Sequence, residues 1–129
     1  MVKGQPTVSD AELEVLKALW VDGPGTVRDV DARLRRRKRR WAYTTVQTLL
    51  NRLQNKGYVT SDKGSIPHVF EAALSRDGLV RRRLNQLADD LCDGTATPLV
   101  AALVKGRHFT NEEIEQFRRL LDEAEPDAR

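Results

Sequence analysis

Thr44, Thr45, Gln47, Thr48, Asn51 and Arg52 crowd into one short stretch and carry hydroxyl, amide and guanidinium groups with no carboxylate among them. Such a set can read hydrogen-bond donors and acceptors in a narrow space, whereas a merely solvated helix face usually mixes Glu and Lys. Base edges in a DNA major groove present that kind of pattern, and a Gln amide can pair bidentately with adenine. Thr44, Thr45, Gln47, Thr48 and Asn51 are therefore the expected base-reading residues. Immediately upstream, residues 33–40 read RLRRRKRR, seven cations in eight positions. Charges of one sign this dense repel each other unless an anion is near, and DNA phosphate is such an anion. Arg36, Arg37, Lys38, Arg39 and Arg40 are expected on phosphate, together with Tyr43, Arg52, Lys56 and Lys63. A solvated surface, a flexible loop and a nuclear-targeting signal are the other readings of the basic block. Trp41 either packs beneath the next helix or abuts the DNA backbone, and packing is favoured.

Other chemistries find little support. No Ser/His/Asp order, glycine-rich phosphate loop or metal-ligand spacing stands out. His68 and His108 are too few and too far apart to argue for zinc, and adjacent Asp89 and Asp90 face different directions on a helix. Cys92 lies among Asp89, Asp90 and Asp93, which do not favour a thiolate, so it reads as a small hydrophobe rather than a sensor. No catalytic residue, metal or cofactor is expected, and the chain is not read as an enzyme. One cysteine, no signal-peptide pattern and no apolar run near the ~20 residues a membrane span needs place the expectation in the cytoplasm, without a membrane partner.

The reading residues need a helix to hold them. Val46, Leu49, Leu50 and Leu53 recur at helical spacing on the face opposite the polar set, and Gly57 supplies the left-handed stop. Before it, Val8-Ser9-Asp10-Ala11-Glu12 has the form of a capping box with a staple from Val8 to Leu13. A first helix follows, with Leu13, Leu16, Leu19 and Trp20 inward, and it ends at Gly23-Pro24-Gly25. Thr26 and Asp29 cap a second helix with Val27, Val30 and Leu34 inward. Residues 58–61 and 66–70 favour strands around the turn Asp62-Lys63-Gly64-Ser65, with Pro67 on an edge strand. A helix-turn-helix followed by a hairpin is a winged helix, expected over residues 8–74. Residues 1–7 read as a loose tail.

Residues 75–125 read as three helices. Val80, Leu84, Leu87 and Leu91 form a coiled-coil-like seam. Thr97 reads as the cap of the next helix with Pro98 in its first turn, and Leu99, Val100, Leu103 and Val104 are apolar. Thr110 and Glu113 form a capping box before Ile114, Phe117, Leu120 and Leu121, with a staple from Phe109 to Ile114. So short a region buries little core alone, and a second copy of the chain is the expected partner, presenting two reading helices to an inverted repeat. Charge supports the division: residues 1–75 hold 13 Lys and Arg against 8 Asp and Glu, and residues 76–129 hold 9 against 11.

SDAELEVLKALW, TVRDV and above all AYTTVQTLLNRLQNKGYV, followed by a hairpin and three helices, resemble the penicillinase-repressor (BlaI/MecI) family over residues 8–125. The resemblance implies a homodimeric winged-helix repressor of double-stranded DNA. In it the third helix contacts bases and the C-terminal helices dimerise; the apolar positions read above place that interface on Val80, Leu84, Leu87, Leu91, Leu99, Val100, Leu103, Ile114, Phe117, Leu120 and Leu121. Base contacts of the family fall on Thr44, Thr45 and Gln47. Some members have Lys and Arg where Thr44 and Gln47 stand, so their guanine contacts do not transfer, and an A·T-containing half-site is expected. Antibiotic-responsive members are cut by a regulatory peptidase at an Asn-Phe bond. The matching residues 99–103 read LVAAL, which leaves that partner doubtful, and without paired terminal cysteines copper sensing is not expected. A protein-interaction adaptor and a nonspecific nucleic-acid binder are the competing functions.

Overall fold

The computed structural model describes residues 7–126, and the expected loose tail lies outside them except for Thr7. Local signals start most of the helices. Ser9 accepts from the Glu12 backbone N–H and Glu12 reaches back to the Ser9 N–H, opening α1 (Asp10–Asp22). Thr26 and Asp29 repeat the exchange at the start of α2 (Val27–Arg36). The third helix, α3 (Tyr43–Lys56), ends on Gly57 at φ 89°, a left-handed conformation that glycine adopts without a Cβ clash. β1 (Val59–Asp62) and β2 (Val69–Ala72) form the hairpin, and α4 (Arg76–Leu91), α5 (Thr97–Gly106) and α6 (Asn111–Glu123) complete the order.

The fold is a winged helix with three further helices. Val15, Leu16 and Leu19 of α1, Val30 and Leu34 of α2, and Val46, Leu50 and Leu53 of α3 are buried together with Tyr58, Val59 and Phe70. Trp20 and Trp41 are half-buried against this core, and the Trp20 indole donates to the Leu74 carbonyl at 2.8 Å.

The hairpin departs from expectation. Its register pairs Val59 with Ala72 and Asp62 with Val69, so only Val69 and Phe70 of the run 66–70 enter a strand. Pro67 is therefore not an edge-strand residue but part of the loop 63–68. Burying both Val59 and Phe70 fixes the register, because a one-residue slip would turn Phe70 outward. Proline, with no N–H for the ladder, is left outside it. On its other side Phe70 exchanges two backbone hydrogen bonds with Gly25, at 2.7 and 3.0 Å. The Gly23-Pro24-Gly25 turn thus extends the wing's sheet as well as ending α1. A Cβ on Gly25 would stand 3.0 Å from Asp29 Cβ and from the Arg33 guanidinium, which explains glycine there.

The chain divides into two compact units at Arg82/Arg83, within α4. Leu79, in the first half of α4, is buried in the core of the first unit. In the second unit, α5 and α6 bury no residue fully. Phe109 and Phe117 meet edge to face at 5.1 Å, and the Thr110–Glu113 capping box forms as expected. Helix α5 begins one residue earlier relative to its cap than expected: Ala96 is the N-cap and Pro98 sits in the first turn, so Thr97 is helical and does not cap.

Candidate nucleic-acid interface

Helix α3 separates its two faces cleanly. Val46, Leu49, Leu50 and Leu53 are buried, while Thr44, Thr45, Gln47, Thr48, Asn51 and Arg52 are all exposed. Thr44, Thr48 and Asn51 stand opposite the buried stripe, with Gln47 toward the wing. Ala42 gives α3 no side-chain cap, in contrast to α1, α2 and α6, so no side chain caps its first-turn N–H groups. Those groups, at the positive end of the helix dipole, suit an anion.

Between α3, the start of α2 and the wing lies a cleft of about 510 Å³, lined by Arg28, Tyr43, Gln47, Asn51, Pro67 and His68 among others. Arg28 was missed in the sequence because nothing in its own neighbourhood marks it. It joins the site through the packing of α2 against α3. His68 comes from the wing loop, in keeping with its sequence reading as a surface or phosphate-side residue beside the hairpin. Thr44, Thr45, Thr48 and Arg52 line a second, shallower hollow. The reading residues therefore form one continuous polar surface that extends onto α2 and the wing. Lys63 is exposed in the loop 63–68.

The basic block is less free than its composition implies. Arg33 donates to the Gly23 and Pro24 carbonyls at 2.6 and 3.1 Å and lies 3.9 Å from Asp22. Arg35 pairs with Asp31 at 3.1 Å, and Arg36 approaches Asp22 at 3.9 Å. Arg37 and Arg39 reach Glu14 at 3.8 and 3.4 Å, and Lys17 shares that carboxylate at 3.4 Å. The anion inferred from the repulsion among these cations is thus supplied in large part by the chain itself. Among the described residues Lys38 and Arg40 have no carboxylate partner. Burial pushes the Glu14 carboxyl up, but hydrogen bonds from Lys17 and Arg39 outweigh it and hold the group below the ordinary carboxylate range.

Lys56 differs most from expectation. Its ammonium donates to Glu12 Oε1 at 2.7 Å and to the Thr7 carbonyl at 3.0 Å, so it ties the end of α3 to the start of α1. Glu12 is 1% exposed, and its Oε2 has no hydrogen-bond partner among the described residues. Burial raises its pKa, yet the bonds from Lys56 and Ser9 more than offset this and leave it lowered. Lys56 serves the fold here, and its engagement removes it from the phosphate set proposed below.

In the second unit the residues expected at a dimer interface are largely uncovered. Leu84, Leu87, Leu91, Val100, Leu103, Ile114, Leu120 and Leu121 are exposed, as is Val80 on the first half of α4, while Leu99 and Phe117 are half-buried. No helix in the described residues is long and apolar enough to cross a membrane.

A helix-turn-helix with a hairpin wing and a polar, carboxylate-free third helix defines a winged-helix regulator. The family model described as penicillinase repressor matches residues 8–123, and the chain belongs to that family. The penicillinase repressor of Bacillus licheniformis is 26% identical over 122 residues, covering 95% of this chain and 94% of that protein. The methicillin resistance regulatory protein MecI of Mammaliicoccus sciuri is 22% identical over 115 residues, covering 89% and 93%. Among solved structures, the transcriptional regulator Tm0710 from Thermotoga maritima aligns with a TM-score of 0.44 at 17% identity, covering 93% of this chain and 80% of its own. A MarR family protein from Bacillus stearothermophilus gives 0.46 at 20% identity, covering 91% and 72%. Both are too loose a likeness to bear on function.

Proposed function

We propose that this chain is a cytoplasmic DNA-binding transcriptional repressor that occupies an inverted-repeat operator as a homodimer. The observation that carries the reading is the exposed face of α3, where hydroxyl and amide groups stand opposite a fully buried stripe. Thr44, Thr45, Gln47, Thr48 and Asn51 read base edges, and Gln47 favours an adenine in the half-site. Arg28, Lys38, Arg40, Tyr43, Arg52 and Lys63 take phosphates and set the salt dependence, with the first-turn N–H groups of α3 as a further anchor.

The uncovered apolar side chains of α4, α5 and α6 support self-association. Exposed Leu84, Leu87, Leu103, Leu120 and Leu121 give these helices no adequate interior of their own. A two-fold partner covers them and presents a second reading helix to the other half-site. Repression follows from occupying DNA that polymerase needs.

Selection of bound fragments from the source genome, followed by footprinting at two salt concentrations, tests the reading. A protected site with dyad symmetry is expected. Weak binding without a preferred footprint would instead identify a nonspecific binder or a protein-docking adaptor.

A further inference from the structure

Among the described residues, Glu14 is the one carboxylate on which two arginines of the α2–α3 connector converge. Its side chain is only 17% exposed, and it holds Arg37 at 3.8 Å, Arg39 at 3.4 Å and Lys17 at 3.4 Å. Arg37 and Arg39 retain 35% and 51% of their side-chain exposure, so both lie at the surface while sharing one carboxylate beneath them. Glu14, Lys17 and Arg39 line an open hollow together with Asp10, Leu13 and Trp41. The arrangement matches what a phosphate would offer: one compact anion receiving several cations.

We propose that Glu14 acts as a built-in phosphate surrogate that withholds Arg37 and Arg39 from DNA, thereby restraining sequence-indifferent binding. The inference rests on the DNA-binding reading above and assigns a further residue that sets specificity. Phosphate contact is available on every duplex, so each connector arginine released to the backbone strengthens operator and random DNA alike. Base readout from α3 then forms a smaller share of the total. A carboxylate that keeps two arginines occupied leaves discrimination to Thr44, Thr45 and Gln47. Lys38 and Arg40, which no carboxylate holds among the described residues, remain available for phosphate.

The test compares Glu14→Gln with Glu115→Gln, which removes the same charge from an exposed ion pair on α6, on a mixed-sequence DNA duplex across a salt series. Glu14→Gln should bind about five-fold or more tightly at low salt and steepen the slope of log K against log salt by about one to two, since each phosphate engaged contributes roughly 0.9. Glu115→Gln should leave the slope unchanged. Adding Arg37→Gln and Arg39→Gln should abolish the gain in the Glu14→Gln background and leave the slope of the otherwise unaltered chain as it was. Equal behaviour of the two Gln variants overturns the proposal. So does weaker binding by Glu14→Gln, which would mean that Glu14 positions the arginines for DNA. A wild-type chain that binds no duplex at any salt removes the DNA-binding reading itself, whereas a binding wild type with an inert Glu14→Gln removes this inference alone.

Discussion

Replacing Lys56 by Met leaves the Glu12 carboxylate enclosed without its cation, a perturbation whose size can be worked out. Breaking an enclosed ion pair from one side costs about 3–5 kcal/mol. Lys56 keeps 27% of its side-chain surface in solvent, and the Ser9 N–H stays on Glu12, so part of that loss is recovered. Protonation sets a ceiling: neutralising an ordinary carboxyl at pH 7 costs about 3.5 kcal/mol, after which burial as an acid is far cheaper. Below that ceiling, and with the partial recovery taken off the lower end of the range, Lys56→Met should destabilise the fold by about 2–3 kcal/mol. Urea unfolding followed by circular dichroism, at fixed protein concentration and with the slope m unchanged, measures it. The sign with pH is also determined. Because the Glu12 pKa is lowered in the folded chain, its contribution is complete above the ordinary carboxylate range and lost as pH falls through the folded value. The gap between wild type and Lys56→Met should therefore close in acid, and adding Glu12→Gln should recover at least half of the loss at pH 7. A Lys56→Met protein within about 0.5 kcal/mol of wild type, the range of ordinary surface substitutions, would refute the reasoning. So would a deficit that does not change with pH.

Gln47→Ala should reduce discrimination between operator and random DNA by about 1–3 kcal/mol; an equal loss on both duplexes would deny it a reading role. Arg28→Gln should weaken both complexes and reduce the salt slope by about one, measured by fluorescence anisotropy. Leu103→Glu should shift the sedimenting species from dimer to monomer at matched concentration, while the first unit keeps its helical signal. Gly57→Ala should lower stability by about 1 kcal/mol in thermal unfolding, because its φ of 89° disfavours any Cβ.

What could be read from the sequence was what the chain settles locally. Ser9 with Glu12, Thr26 with Asp29, and Thr110 with Glu113 each complete a cap within four residues, so helix starts were legible. The buried stripe of α3 and its polar opposite follow from helical spacing alone. Contacts across the chain were not legible. Nothing near Arg37 signals that Glu14, on another helix, would hold it, and nothing near Lys56 points to Glu12. The strand-like run around Pro67 misled for a related reason. Its register is decided by Phe70 meeting both β1 and Gly25, the latter 45 positions away. Arg28 and His68 reached the cleft by the same kind of tertiary assembly.

Phe70 hydrogen-bonds to Gly25 while its strand pairs with β1, so the hairpin is coupled mechanically to the segment that launches α2. On the proposed DNA-binding reading, a DNA strand pressing on the loop that bears His68 would transmit force through these two hydrogen bonds to the turn preceding Thr26 and Arg28. Wing and second helix would then grip or let go together. Lesions that loosen the hairpin's base should thus be felt as lost grip at Arg28, with no substitution on the second helix itself.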